Sequence, residues 1–344
     1  MSLINKYDFL KKYNIDENKY KKATISWDDL VNIFNNYEIT KNDFDPIAQF
    51  IVSKLRKVEK VHFAQYRIKN SEHLIEKIIR KKIEKSCDIK VDNYKEKITD
   101  LIGVRILHLF KEDWNKIHKF IIDEFDLLGK PTAYVRKGDE EKYIEHFKQN
   151  NCDIEEHKLG YRSVHYLIKS ALSKKQYITE IQVRTIFEEG WSEIDHKIRY
   201  PYNKNNIILE KFLTILNRFA GNADEMASFI SFLQRDLDKN KAIIQKLKHE
   251  IDELKIDHEK KKEIKENIDN VSGLYASASI LSKYSGLVVA VKEASNVISH
   301  SGLLEATKIA QQVVGNTEAL TAAKNVQQVT KSLGAVRPVI DENN

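Results

Sequence analysis

The sequence predicts an α/β (α+β) chain: short strands with flanking helices in the middle, an all-helical segment before them and a long helical region after. Three observations carry this reading. Residues 97–110, KITDLIGVRILHLF, and residues 178–188, ITEIQVRTIFE, are apolar runs rich in Ile, Val and Leu and of strand length. Apolar residues recur at helical spacing through the first 58 residues. Beyond residue 203 a heptad of apolar positions emerges.

The totals bound the answer. The chain has 344 residues, 42% hydrophobic and 31% charged, enough for one sizeable core with appendages or for two domains. A net charge of +6 suits anionic substrates such as nucleotides and permits RNA contact without demanding it. The two cysteines, Cys87 and Cys152, form no CxxC pair, which argues against a disulfide framework and for reduced thiols. The N-terminus lacks an apolar signal core and no run of eighteen apolar residues occurs, so the expected location is the cytoplasm, with no membrane contact.

Residues 1–58 read as a helical cover. Trp27, Leu30, Val31 and Phe34 recur at helical spacing behind a Ser26–Asp29 box. A second helix after Pro46 carries Ile47, Phe50, Ile51, Leu55 and Val58 on one face. Residues 59–202 form the predicted α/β domain. Arg67 and Lys69 alternate across Ile68 and so share a face of an extended segment. Asn70 and Ser71 then open a helix with Leu74, Ile75, Ile78 and Ile79 as its apolar stripe and Lys77, Arg80, Lys81 and Lys82 as added charge. A cationic strand entering a helix start suits a polyphosphate, although a basic helix is more often a solvated surface. The two apolar runs share a design: an acid, then an arginine a few residues on, giving Asp100 with Arg105 and Glu180 with Arg184. In the second run Glu180 and Gln182 share one strand face while Ile181 and Val183 take the other. Alone, an Asp before a strand is ordinarily a turn residue. Together, two carboxylates on neighbouring strands with cations beside them meet the needs of magnesium-dependent phosphoryl transfer.

RIKNSEHLIEKIIRK, ITDLIGVRIL, GYRSVH at 160–165, EIQVRT at 180–185 and WSEIDHKIRY at 191–200 follow one another in order. In that order and spacing they resemble the synthetase domain of the RelA/SpoT family of alarmone synthetases, over about residues 60–202. The resemblance implies a mixed β-sheet with flanking helices, related to nucleotidyltransferases. It also implies a reaction in which ATP donates its β,γ-pyrophosphate to the 3′-hydroxyl of GDP or GTP, with Mg2+ as cofactor. By position, Arg67 resembles an adenine-stacking residue, Lys69, Lys77 and Arg105 resemble ATP-phosphate contacts, and Asp100 resembles the main metal ligand. Glu180 resembles a second metal ligand or the base for the 3′-hydroxyl. Tyr161 resembles the platform under the acceptor base, with Arg162, His165, Gln182 and Lys197 around the acceptor. Tyrosine offers a π-face and a phenol, and Gly160 before it allows close backbone approach.

Three positions depart from the family pattern. Leu159 stands where an Asn is common, His73 where a serine is common, and Glu112 and Asp113 lie where a second stacking arginine is sought. These open two alternatives: a toxin-like member that modifies the tRNA 3′ end or makes adenosine alarmones, using the lysines at 81, 82, 85, 90, 95 and 97 on RNA, and a catalytically silent nucleotide-binding module. The first sixty residues are too few for the hydrolase domain of long family members and carry no His-Asp metal motif, so a synthetase-only chain is expected.

Residues 186–200 predict a helix with Phe187, Trp191, Ile194 and Ile198 inward, ended by Pro201. Residues 203–270 predict long helix with a heptad at Met226, Ile230, Leu233, Leu237, Asn240, Ile244, Leu247, Ile251 and Leu254. An intermolecular coiled coil and an intramolecular hairpin both fit, and homo-oligomers through these helices are expected. Residues 271–344, rich in Ala, Ser, Val and Gly, predict a regulatory or partner-binding tail.

Overall fold

The computed structural model describes residues 4–85, 87–139, 141–171, 174–199, 206–253, 257–267 and 269; the tail reading for 271–344 lies outside them. The chain divides into two compact units, Met1–Asn205 and Asn206–Asn344.

In the first unit, α1 (Lys6–Lys12), α2 (Glu17–Lys21), α3 (Trp27–Thr40) and α4 (Phe44–Leu55) precede the first strand. Ser26 caps α3 as its sequence suggests, accepting from the Asp29 amide at 3.0 Å while donating to the Asp29 carboxylate at 2.7 Å. Ile47, Ile51 and Leu55 of α4 are buried as expected, joined by Phe44, Ala48 and Val52. Phe50 instead stands 45% exposed. The inward stripe of α4 runs through 44, 48 and 55, and Phe50 lies off it.

The sheet has six strands: β1 (Phe63–Ile68), β2 (Ile102–His108), β3 (Thr132–Val135), β4 (Asp153–Glu156), β5 (Ser163–Ser170) and β6 (Tyr177–Thr185), in the spatial order β1-β2-β6-β5-β3-β4. The β2–β6 and β3–β4 pairs are parallel and the others antiparallel. This is the mixed sheet expected. Parallel neighbours need crossovers: α8 (Glu141–Gln149) joins β3 to β4, and α7 (Trp114–Glu124) lies on the path from β2 to β6, while α5 (Ser71–Lys85) and α6 (Tyr94–Lys97) join the antiparallel β1 and β2 and α9 (Ile186–Arg199) follows β6.

Alternation divides the sheet into two unlike faces. Ala64, Val104, Ile106, Val164, Tyr166, Ile181 and Val183 are buried on one. There α4 packs on β1 and β2, and α7 anchors through Trp114 and His118, whose ring nitrogens lie 3.0 Å from the Tyr166 hydroxyl. The other face carries Arg67, Arg105, His165, Glu180 and Gln182, and α9 packs on β2 and β6. The helical cover and the sheet share one continuous hydrophobic core, from Phe9 and Leu30 through Ile78 to Ile168.

The expectation for α9 needs correction. Trp191 is buried, but Phe187 is 40% and Ile194 46% exposed. The side of α9 that meets the sheet is chosen by Glu189, buried against two arginines, so the apolar stripe turns away.

The second unit is described through α10 (Ile207–Glu253) and a helical stretch over 258–267. Asp252 pairs with Lys265 at 2.6 Å, its carbonyl accepts from Lys261 at 2.7 Å, and Lys248 pairs with Asp269 at 2.7 Å. The chain therefore turns back at this end, the hairpin alternative. Upstream, the heptad residues Met226, Ile230 and Leu237 are exposed, as are Phe212 and Phe219 before the heptad.

Candidate active site

The site is assembled where β1 ends and β2 begins. Lys69, just past β1, donates its amide to the Leu101 carbonyl at 3.0 Å. The Tyr37 hydroxyl of α3 donates to the Lys69 carbonyl at 2.6 Å. The Asn70 side chain accepts the Glu72 amide at 2.9 Å and opens α5. Lys69 and, two turns into α5, Lys77 then meet Asp100, each ammonium 2.8 Å from its Oδ2. Burial works to raise the Asp100 carboxyl, but the two ammonium groups outweigh it and hold it at about 2. Burial pushes Lys69 down from the ordinary lysine value. Asp100 Oδ1 is buried with no hydrogen-bond partner.

β6 supplies the second carboxylate. Parallel pairing sets Glu180 opposite Gly103 and Gln182 opposite Arg105, while antiparallel pairing sets His165 opposite Gln182. Gln182 Nε2 donates to Glu180 Oε2 at 2.7 Å, and His165 Nδ1 lies 3.4 Å from Glu180 Oε1. Burial favours the neutral form of Glu180. The hydrogen bond and charge of His165, helped by Gln182, reverse this and leave its carboxyl below the ordinary value, despite the like charge of Asp100.

Beside them the Tyr161 hydroxyl lies 2.9 Å from His165 Nε2. Its ring is bordered edge-on by Tyr134 and His157, and the Arg184 guanidinium lies 5.2 Å from its centroid. Gly160 holds φ at +77°, a conformation that an L side chain resists, so the turn presenting Tyr161 needs this glycine.

Asp100, Lys69, Lys77, Arg105, Tyr161, His165, Glu180 and Gln182 thus gather around one sheet face. Arg67 lies on that face opposite Gly103, exposed. Arg105 ion-pairs with Glu189 at 3.0 Å and with Glu193. Two predicted residues stand elsewhere. Arg162 is buried with its guanidinium 3.6 Å from Asp139 and 3.9 Å from Glu188. It lines an open recess of about 650 Å³ with Trp114, Phe147 and Val164. Strand alternation explains this, because neighbours of Tyr161 and Ser163 point the other way. Lys197 is exposed on α9. Leu159 is exposed, His73 occupies the first turn of α5, and Asp113 accepts the Phe110 amide at 3.2 Å. Sequence reasoning missed Tyr37, Tyr134, His157 and Glu189. For Glu189 the signal was hidden by the apolar residues either side of it on α9.

Whether the residues fit a magnesium ion is a question of donor chemistry. Among the described residues no group of three or more His, Cys, Asp or Glu side chains forms a closed metal cage. Two carboxylates at adjacent strand ends, one with an unpartnered buried oxygen, match a cation that takes most of its ligands from water and phosphate. The fit is good.

The mixed sheet joins two carboxylates to lysines and arginines on its polar face, an α/β domain with a site suited to anionic ligands. Residues 66–205 match the region found in RelA/SpoT proteins. The GTP pyrophosphokinase YwaC of Bacillus subtilis is 30% identical over 149 residues, 42% of this chain and 61% of that protein. The GTP pyrophosphokinase YjbM of the same organism is 26% identical over 192 residues, 55% of this chain and 79% of that protein. Among solved structures, the small alarmone synthetase 1 from Bacillus subtilis is similar at 22% identity and a TM-score of 0.47, over 59% of this chain and 99% of that one.

Proposed function

We propose that the protein is a nucleotide pyrophosphokinase that transfers the β,γ-pyrophosphate of ATP to the 3′-hydroxyl of GDP or GTP in the cytoplasm. The observation that carries this reading is the pairing of Asp100 and Glu180 at one end of the parallel β2–β6 pair, faced by Lys69, Lys77 and Arg105, inside a RelA/SpoT region. Lys69 and Lys77 hold the triphosphate, and Arg67 and Arg105 flank the donor from the same sheet face. Tyr161 gives the acceptor base a stacking surface. Glu180, kept ionised by its neighbours, accepts the proton of the 3′-hydroxyl as that oxygen bonds to the β-phosphorus; the bond from this phosphorus to the bridging oxygen breaks, and AMP leaves with the electron pair. Mg2+, held through Asp100 and Glu180, would supply charge neutralisation on the phosphates.

Product analysis with ATP labelled at the γ-phosphate tests this. Label in a guanosine tetra- or pentaphosphate is expected. Label only on tRNA or on an adenosine nucleotide, or on nothing, would sink the proposal.

A further inference from the structure

Arg184 and Glu189 take no part in the chemistry above, yet they are among the most deeply buried charges of the domain. Glu189 bridges two strands from α9: Oε1 lies 3.0 Å from Arg105 Nη1, and Oε2 lies 3.1 Å from Arg184 Nε. Arg184 Nη2 donates to Gln182 Oε1, and Gln182 Nε2 donates to Glu180 Oε2. The same guanidinium lies over the Tyr161 ring. One unbroken chain of contacts therefore runs from α9 to the carboxylate of Glu180, with a branch to Tyr161.

Each link has a direction set by chemistry. A guanidinium only donates, so its partner on Gln182 must be the amide oxygen. That leaves the amide NH2 for Glu180, whose Oε2 is then held while Oε1 faces His165. With the amide reversed, its oxygen would face the carboxylate and repel it. Arg184 also closes one face of Tyr161, so a base can stack only on the other. Glu189 offsets the cost of burying a guanidinium, which would be large without a partner.

We propose that Arg184 and Glu189 are positioning residues for the acceptor half of the site: they fix the amide of Gln182, through it the carboxylate of Glu180, and they select the face of Tyr161 that receives the base. The inference rests on the functional reading above and extends it to residues that touch no substrate.

The test is steady-state transfer to GDP with Arg184→Lys, varying each substrate. A lysine cannot hold Glu189 and Gln182 at once in the geometry of a guanidinium. The acceptor KM is expected to rise about tenfold or more while the ATP KM changes less than about threefold. Should Arg184→Lys fail to fold, Glu189→Gln, which keeps the side-chain shape, is read by the same split between the acceptor KM and the ATP KM. An active wild type whose folded variant keeps the acceptor KM overturns this inference alone, as does an equal rise in both KM values. A wild type that transfers to neither GDP nor GTP overturns the functional reading and this one with it.

Discussion

Asp100 carries two ammonium groups on one carboxylate oxygen and leaves the other bare. Replacing it with Asn removes both the proposed metal ligand and the counter-charge of Lys69 and Lys77. The expected loss in kcat is about two to three orders of magnitude, read by labelled transfer on protein whose circular dichroism is unchanged. The same carboxyl gives stability a pH signature. Its folded value of about 2 lies below an unfolded value of about 3.9. The stabilisation is therefore complete above about pH 4 and lost as pH falls through about 2, amounting to about 2–3 kcal/mol. Glu180, also held low, acts with the same sign. Urea unfolding from pH 5 to pH 2 should show this slope in the wild type and a shallower one in Asp100→Asn; equal slopes would refute the assignment. Tyr161 separates stacking from hydrogen bonding. Tyr161→Ala should raise the GDP KM by about tenfold or more, since stacking contributes about 1–3 kcal/mol per base, and Tyr161→Phe by much less.

The elements that bring these residues together were legible where chemistry and periodicity coincide. Alternation over 178–183 set Glu180 and Gln182 on one face and Ile181 and Val183 in the core, as found. Asn70 and Ser26 marked helix starts by their capping chemistry. Strand order, parallel against antiparallel pairing, and the Tyr37–Lys69 bond could not be read, because each depends on segments distant in the chain. α9 misled because its buried side is selected by an ion pair rather than by its apolar stripe. Arg162 misled because adjacency to Tyr161 in sequence means opposition across a strand. The α3–β1 junction yields its own prediction. The Tyr37 hydroxyl donates to the backbone of Lys69 at 2.6 Å from a fully buried ring. Tyr37→Phe keeps the ring, so the expected cost is about 1 kcal/mol in unfolding free energy and a rise in the ATP KM with little change in the GDP KM. An unchanged ATP KM would show that Lys69 is held without this bond.

At the scale of the whole molecule, the two units invite separation. Every residue of the proposed site, and the core beneath it, belongs to Met1–Asn205. α10 presents a heptad of which Met226, Ile230 and Leu237 are exposed, Ile230 by 57%, with Phe212 and Phe219 exposed before it. Exposed apolar residues in so long a register are costly in water unless another helix covers them. Asn240 lies in the same seam, where an amide satisfies itself best against a second helix. Self-association through α10 is one way to cover them, and the mass in solution tests it. Light scattering should give the intact protein a mass of at least two chains. Ile230→Lys with Leu237→Lys places two charges in the seam and should reduce the mass to one chain, leaving the circular dichroism of the α/β unit intact. Residues 1–205 alone should be monomeric and retain transfer to GDP. A single-chain mass for the intact protein at tens of micromolar would mean that α10 is covered from within its own chain, and would remove self-association from the account without touching the site.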